Sequence, residues 1–307
     1  MAYCNRRQFL QASSVLLAAS LTTPVWAMRS AKPNLSFSTL GCPDWSFTEI
    51  ASFAQQNGYT GIELRGIQRQ IDLLQCKEFN SADGIQTTLA LMKEKGLRFV
   101  NLGSSATMHF AEGAERSKNL DDGKRYIDLA QQLSCPYIRV FPNNLAKDKD
   151  KKETIDLIAK GLDELGNYAG SSGVKILMET HGDLVHTDDI VLVMQQSANA
   201  NVGIIWDVTN MYAITKQSPA DVYPLIKQYI HHTHIKDAKL SADGKIDYVF
   251  LGQGDVPIFD ALDLLQKGGY KGFYSFEWEK LWHPEIAASE LALADYPKAI
   301  ANHFKNN

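Results

Sequence analysis

From Leu35 to the carboxyl end, short runs of β-branched and aromatic residues alternate eight times with longer stretches of helical period. A chain patterned this way is restricted to parallel β-α-β layers. The strands read as Leu35–Leu40, Gly61–Arg65, Arg98–Leu102, Tyr137–Phe141, Lys175–Thr180, Val202–Asp207, Tyr229–Ile235 and Gly272–Glu277. Between them lie helices such as Asp83–Lys95, Asp121–Leu133, Lys152–Tyr168, Thr187–Gln196 and Ile258–Gln266. In the third of these, Ile155, Ile158, Leu162 and Leu165 recur at steps of three and four, an apolar stripe that packs on a sheet. Gly96, Gly173 and Gly268-Gly269 fall where helices hand over to strands. Eight repeats of roughly 30 residues predict an α/β fold, a single-domain (β/α)8 barrel over residues 28–307. An open doubly wound sheet fits less well, because Leu40-Gly41-Cys42-Pro43-Asp44 is not a dinucleotide-binding turn.

In such a barrel the chemistry sits at the carboxyl ends of the strands. The fifth strand ends in Glu179-Thr180-His181, the sixth in Asp207, the seventh in His232-Thr233-His234-Ile235-Lys236, and the eighth in Glu277-Trp278-Glu279. Alternation pairs Glu179 with His181, His232 with His234, and Glu277 with Glu279 on common faces, and turns His231 outward. His232 then lies one layer below His234, placed to support it, and Glu279 competes with Glu277. Three carboxylates and an imidazole converging from neighbouring strands repel one another without a cation. One divalent metal ion held by Glu179, Asp207, His234 and Glu277 is therefore expected.

These residues carry a resemblance to the xylose-isomerase-like TIM-barrel superfamily, the sugar phosphate isomerase/epimerase group. The motifs are Met178-Glu179-Thr180-His181, Trp206-Asp207-Val208-Thr209-Asn210, His234-Ile235-Lys236-Asp237, Leu251-Gly252-Gln253-Gly254-Asp255, and Gly269-Tyr270-Lys271-Gly272 before Phe276-Glu277; Gly61-Ile62-Glu63-Leu64 and Trp45 match more weakly. The resemblance implies Mn²⁺, Mg²⁺, Co²⁺ or Zn²⁺ as the ion and Glu179 and Glu277 as the catalytic proton carriers. It also implies that His181 and Lys236 either contact the substrate or support the ligands from behind, and that Glu63 and Trp45 are substrate-side groups. Many relatives read Asp-x-x-His after the sixth strand; here the fourth position is Asn210, an amide suited to a sugar hydroxyl but a poor metal ligand.

The implied activity is isomerisation or epimerisation of a sugar or keto-sugar through an ene-diol. A lyase that eliminates the aglycone from 3-keto-glycosides is the alternative. Cleavage of abasic DNA fits poorly, since the formal net charge is −4, no basic run is present, and histidines for a three-metal centre are missing. A non-catalytic sugar-binding module is a further alternative. Four cysteines, Cys4, Cys42, Cys76 and Cys135, show no C-x-x-C spacing, which excludes a zinc ribbon or thioredoxin-type redox pair.

Residues 1–27 read as an address. Arg6-Arg7-Gln8-Phe9-Leu10 precedes the apolar run Val15 to Leu21 and a small-residue cleavage pattern ending at Ala27, and the layout resembles a twin-arginine (Tat) signal. The run is too short for a membrane span of about 20 residues. Expected partners are a small sugar and, during export to the periplasm or exterior, the Tat translocase, with no nucleic acid and no stable membrane insertion; self-association into a homo-oligomer is left open. Export is expected to leave a mature terminus near Met28 and to stop in the double variant Arg6→Lys/Arg7→Lys. Mass spectrometry of fractionated cells checks both, and an intact Met1 in the periplasm contradicts the assignment.

Overall fold

The computed structural model describes residues 32–145, 150–242 and 244–306, so the signal-like segment lies outside the described residues. Eight strands pair in parallel and close on themselves: β1 (Asn34–Ser38), β2 (Gly61–Leu64), β3 (Arg98–Thr107), β4 (Tyr137–Phe141), β5 (Lys175–Glu179), β6 (Val202–Asp207), β7 (Ile230–Ile235) and, after a two-stranded insertion, β10 (Phe273–Phe276), which completes the ring between β7 and β1. The insertion is the antiparallel pair β8 (Asp237–Leu240) and β9 (Ile246–Val249). Around the ring run α1 (Phe47–Gln56), α2 (Ala82–Lys95), α3 (Ala114–Gln132), α4 (Lys151–Ala169), α5 (Thr187–Ser197), α6 (Val208–Thr215), α7 (Pro219–Ile226), α8 (Ile258–Lys267) and α9 (Ser289–Asn306).

Local chemistry sets these boundaries. Ser46 and Glu49 form a reciprocal capping box that starts α1, with the Ser46 N–H donating to Glu49 Oε2 at 2.7 Å. Gly96, at φ +67°, ends α2 in the left-handed conformation that favours glycine. The α4 stripe read from the sequence is buried as expected, Ile155, Ile158, Leu162 and Leu165 being at most 1% exposed. At the barrel floor Gly61 has no room for a side chain, because a Cβ would stand 2.5 Å from Val100 and 2.6 Å from the Phe273 ring.

Three features differ from the sequence reading. β3 runs five residues past Leu102, through Gly103-Ser104-Ser105-Ala106-Thr107, small residues with a weak strand signal; Thr107 is held instead by pairing with Phe141 and by donating its N–H to Asn119 Oδ1 at 2.8 Å. α3 begins at Ala114, seven residues before Asp121, in a charged stretch whose period is faint. Within it Arg116 turns inward and donates to the carbonyls of Phe110 and Leu157. The β8–β9 pair is separated from β7 by a single residue and merges with it in a one-dimensional reading. Cys42, Cys76 and Cys135 are buried and free.

The helical layer supplies the apolar burial, so Leu162→Ala is expected to destabilise the protein by about 2–5 kcal/mol. A lowered denaturation midpoint with an unchanged slope in urea checks this.

Candidate metal centre

Barrel closure brings four side chains to one point. Glu179 ends β5, Asp207 ends β6 opposite His234 of β7, and Glu277 directly follows β10. All four are buried, and one ligand atom from each lies within 4.8 Å of the others. His234 Nδ1 stands 3.2 Å from Glu179 Oε1, 3.2 Å from Glu277 Oε2 and 3.9 Å from Asp207 Oδ2.

Each of these groups is held from behind. Glu63 of β2 lies between two imidazoles, its Oε1 3.0 Å from His234 Nε2 and its Oε2 2.7 Å from His232 Nε2, and it also accepts from Ser275 Oγ at 3.2 Å. This ties down the His234 Nε2 edge and aims Nδ1 at the three carboxylates, the outer-shell arrangement that orients histidine ligands. Arg139 of β4 donates from Nη1 to Glu179 Oε2 at 2.8 Å. Lys236 donates to Glu277 Oε2 and Glu279 Oε1, both at 2.6 Å, and lies 2.9 Å from Asp207 Oδ2. Asp207 Oδ1 accepts the Asn210 N–H at 2.8 Å and caps α6, while Oδ2 accepts no hydrogen bond.

The charges do not balance. Glu179, Asp207, Glu277 and Glu279 face two fixed cations, Arg139 and Lys236, in a pocket where all six are buried. Burial pushes Asp207 up to about 7; Lys236 pulls against this, while the negative charges of Glu277 and Glu179 push the same way as burial. Burial and Glu277 also push Glu179 up, but His234 and Arg139 more than offset them and leave it at about 2. Burial likewise works against an ionised Glu277, yet His234 and Lys236 hold it well below the carboxylate range. His234 resists charging because it is buried, but Glu277, Glu63 and Glu179 lift it well above the ordinary imidazole value. The imidazole itself is thus driven to supply positive charge. A divalent cation at Nδ1 would replace that proton and neutralise the two uncompensated carboxylates, so the donor set fits such an ion.

Comparison with known proteins follows the same line. The sequence matches the xylose isomerase-like TIM barrel over residues 51–296. The chain belongs to that family. Curated relatives include the inosose isomerase of Halalkalibacterium halodurans, 20% identical over 82% of this chain and 90% of the relative, and the inosose dehydratase of Histophilus somni, 25% identical over 79% and 85%. The 3-dehydroshikimate dehydratase of Bacillus anthracis is 23% identical over 64% and 68%. Among solved structures, the IOLI protein, crystallised with a zinc atom, superposes with a TM-score of 0.75 at 17% identity, covering 89% of this chain and 98% of that one. The probable 3-DHS dehydratase of Bacillus anthracis gives 0.72 at 19% identity, over 88% and 99%.

The substrate-side expectations divide. His181 sits at the rim, its ring on Phe141 at 4.6 Å and its Nδ1 3.2 Å from Asn143 Oδ1. Lys236 is buried among the carboxylates. Asn210 turns its amide to the Thr180 carbonyl at 3.4 Å, and Trp45 packs on Phe53 of α1 at 4.9 Å. Glu63 differs from its expected place: it is 1% exposed, with both oxygens spent on His232 and His234, and so lies beneath the cluster rather than facing a substrate. Glu279, the competitor for Glu277, is instead the far partner of Lys236. Arg139 and Arg65 were not singled out from the sequence, although alternation in Tyr137–Phe141 and Gly61–Arg65 puts each on an inward face. The Leu251–Asp255 motif serves as a joint, Gly252 and Gly254 both donating their N–H to Asp237 Oδ2.

About one divalent ion per chain is expected by elemental analysis, and Glu63→Gln is expected to weaken its affinity about 10- to 100-fold. Without the ion, the folded Asp207 keeps its proton to higher pH than an unfolded aspartate. That contribution to the stability of the metal-free fold is therefore lost as pH rises through about 7, while metal uptake strengthens as the proton leaves. Metal titrations at pH 6 and pH 8 check the sign.

Proposed function

We propose that the chain is a metal-dependent enzyme that isomerises or epimerises a sugar or keto-sugar by proton transfer, with Glu179 and Glu277 taking and returning the proton. The observation that carries this reading is the placement of two ionised glutamates, from β5 and from the end of β10, each 3.2 Å from the same imidazole nitrogen. They reach one point from different strands of the ring. A bound divalent ion would polarise a ketone and its neighbouring hydroxyl, and so acidify the carbon-bound hydrogen between them.

The chain's own groups do the rest. Arg139 holds Glu179 by Oε2 and leaves Oε1 turned to the centre. Both glutamates stay ionised at neutral pH, the state a base needs before substrate arrives. Removal of the proton gives an ene-diol; its return to the neighbouring carbon isomerises, and its return to the opposite face of the same carbon epimerises. Burial pulls the His181 pKa down, so its neutral ring can accept from or donate to a substrate hydroxyl at the rim.

A second reading is dehydration or elimination, in which the same proton removal expels an oxygen from the β-carbon. Lys236 supports it, being a buried ammonium within reach of the cluster that could protonate the departing oxygen. The names of the relatives point the same way, two of the three cited being dehydratases. The proposed periplasmic or secreted location also suits keto-glycosides better than sugar phosphates.

With metal saturated, Glu179→Gln and Glu277→Gln are each expected to lose about 10² to 10⁴ in turnover with the fold retained. The native enzyme in D₂O is expected to place deuterium beside the substrate carbonyl, read by NMR. Normal turnover in both variants would remove the glutamates from the proton path.

A further inference from the structure

The loop after β4 does more to His181 than hold it in place. The extended run of β5 continues past Glu179, with the Thr180 N–H donating to the Ile205 carbonyl at 3.2 Å, so His181 follows on the face that Glu179 occupies. Its ring lies on Phe141, which also carries the Arg139 guanidinium 3.9 Å from the ring centre. Its Nδ1 stands 3.2 Å from Asn143 Oδ1, while its Nε2 has no hydrogen bond among the described residues.

The backbone fixes this contact. Asn143 sits just past the end of β4 at φ +53°, in the left-handed region that asparagine tolerates better than most side chains. The turn after β5 is laced to it: the Asn143 carbonyl accepts the Asp183 N–H at 3.2 Å, and Asp183 Oδ2 accepts the Leu145 N–H at 3.0 Å. Gly182 comes so near that a Cβ there would stand 2.9 Å from the Asn143 carbonyl oxygen. The two loops thus keep one register, and the amide meets the imidazole as a consequence. An amide oxygen only accepts, so in the neutral ring Nδ1 must carry the hydrogen and Nε2 keeps its lone pair.

We infer that Asn143 is a positioning residue: it locks His181 in the Nδ1–H tautomer, makes Nε2 an acceptor, and so selects a substrate that presents a hydroxyl at the rim rather than a bare carbonyl or ether oxygen. Free histidine in water favours the opposite tautomer, so the preference has to come from the protein. The inference rests on the proposed function for where the substrate lies. Its test reads the ring itself and is independent of turnover.

Nitrogen-15 NMR of histidine-labelled, zinc-loaded protein at pH 8 reads the tautomer directly, the His181 signals being assigned by their loss in His181→Gln. A protonated Nδ1 and an unprotonated Nε2 are expected, and the Nε2 resonance is expected to shift when myo-inositol or D-fructose is added. Asn143→Gly suits the local φ and keeps the backbone carbonyl, so it is expected to fold, to lose the Nδ1–H signature, and to weaken the polyol titration about 10-fold. Asn143→Asp keeps an accepting oxygen and is expected to restore both, which covers the case of a glycine variant that does not fold. A merely structural role predicts the reverse, since glycine adopts this backbone most readily. An unprotonated Nδ1 in the native protein, or an unchanged signature in Asn143→Gly, overturns the inference; no shift of Nε2 with either polyol overturns the selection of a hydroxyl. Absence of solvent exchange with every ketone, alongside the expected signature and shift, would sink the proton-transfer reading and leave this one standing.

Discussion

Like-charge repulsion among buried carboxylates is the constraint to which the upper half of this barrel answers. Two unit charges about 4 Å apart at an effective dielectric of about 20 repel by about 4 kcal/mol. Glu179, Asp207, Glu277 and Glu279 are brought together by strand register, and each is met by a cation or an imidazole at 2.6 to 3.2 Å. Arg139, Lys236 and His234 are thus required by the acids as much as the acids are placed by the ring. An added divalent ion is the charge the set still lacks, so ion binding and the local stability of the strand ends are one problem.

The layer beneath explains why the imidazole faces the right way. Glu63, His232 and Ser275 form a hydrogen-bonded plug across the barrel interior from β2 to the neighbouring β7 and β10, with β1 between β2 and β10 in the ring. This polar filling replaces the branched side chains that ordinarily pack a barrel interior. Its position is over-determined: Glu63 cannot swing toward a substrate without releasing both histidines. A residue that looks like a rim group in a linear motif is therefore part of the foundation.

Much of this was legible in the sequence, and the reasons differ by residue. Glu179, Asp207, His234 and Glu277 could be picked out because each lies within one residue of the carboxyl end of a strand, and strand ends share one mouth in a barrel. The α4 stripe could be read because Ile155, Ile158, Leu162 and Leu165 obey one period. Glu63 went astray because alternation gives the face of a residue but not its depth, and depth separates a substrate contact from a support under His234. The extension of β3 escaped notice because Gly103–Thr107 owe their strand conformation to β4 and Asn119, not to their own propensity. Arg139 escaped because a lone charge in Tyr-Ile-Arg-Val-Phe means little until Glu179 is known to lie 2.8 Å away.

The distribution of burial settles where stability must come from. Within the ring, each ion pair offsets desolvation that it has itself incurred, and such pairs contribute little net stability even when their geometry is good. The apolar gain lies between the strands and the helices, where Ile155, Ile158, Leu162 and Leu165 of α4, Ile190 and Val193 of α5, and Ile258, Leu262 and Leu265 of α8 join strand residues such as Ile138, Ile176 and Trp206 in being nearly all fully buried. A barrel whose helical shell carries the stability can hold unfavourable charge at its centre. Glu179 and Glu277 can then stay ionised and close together, as a divalent-ion site requires.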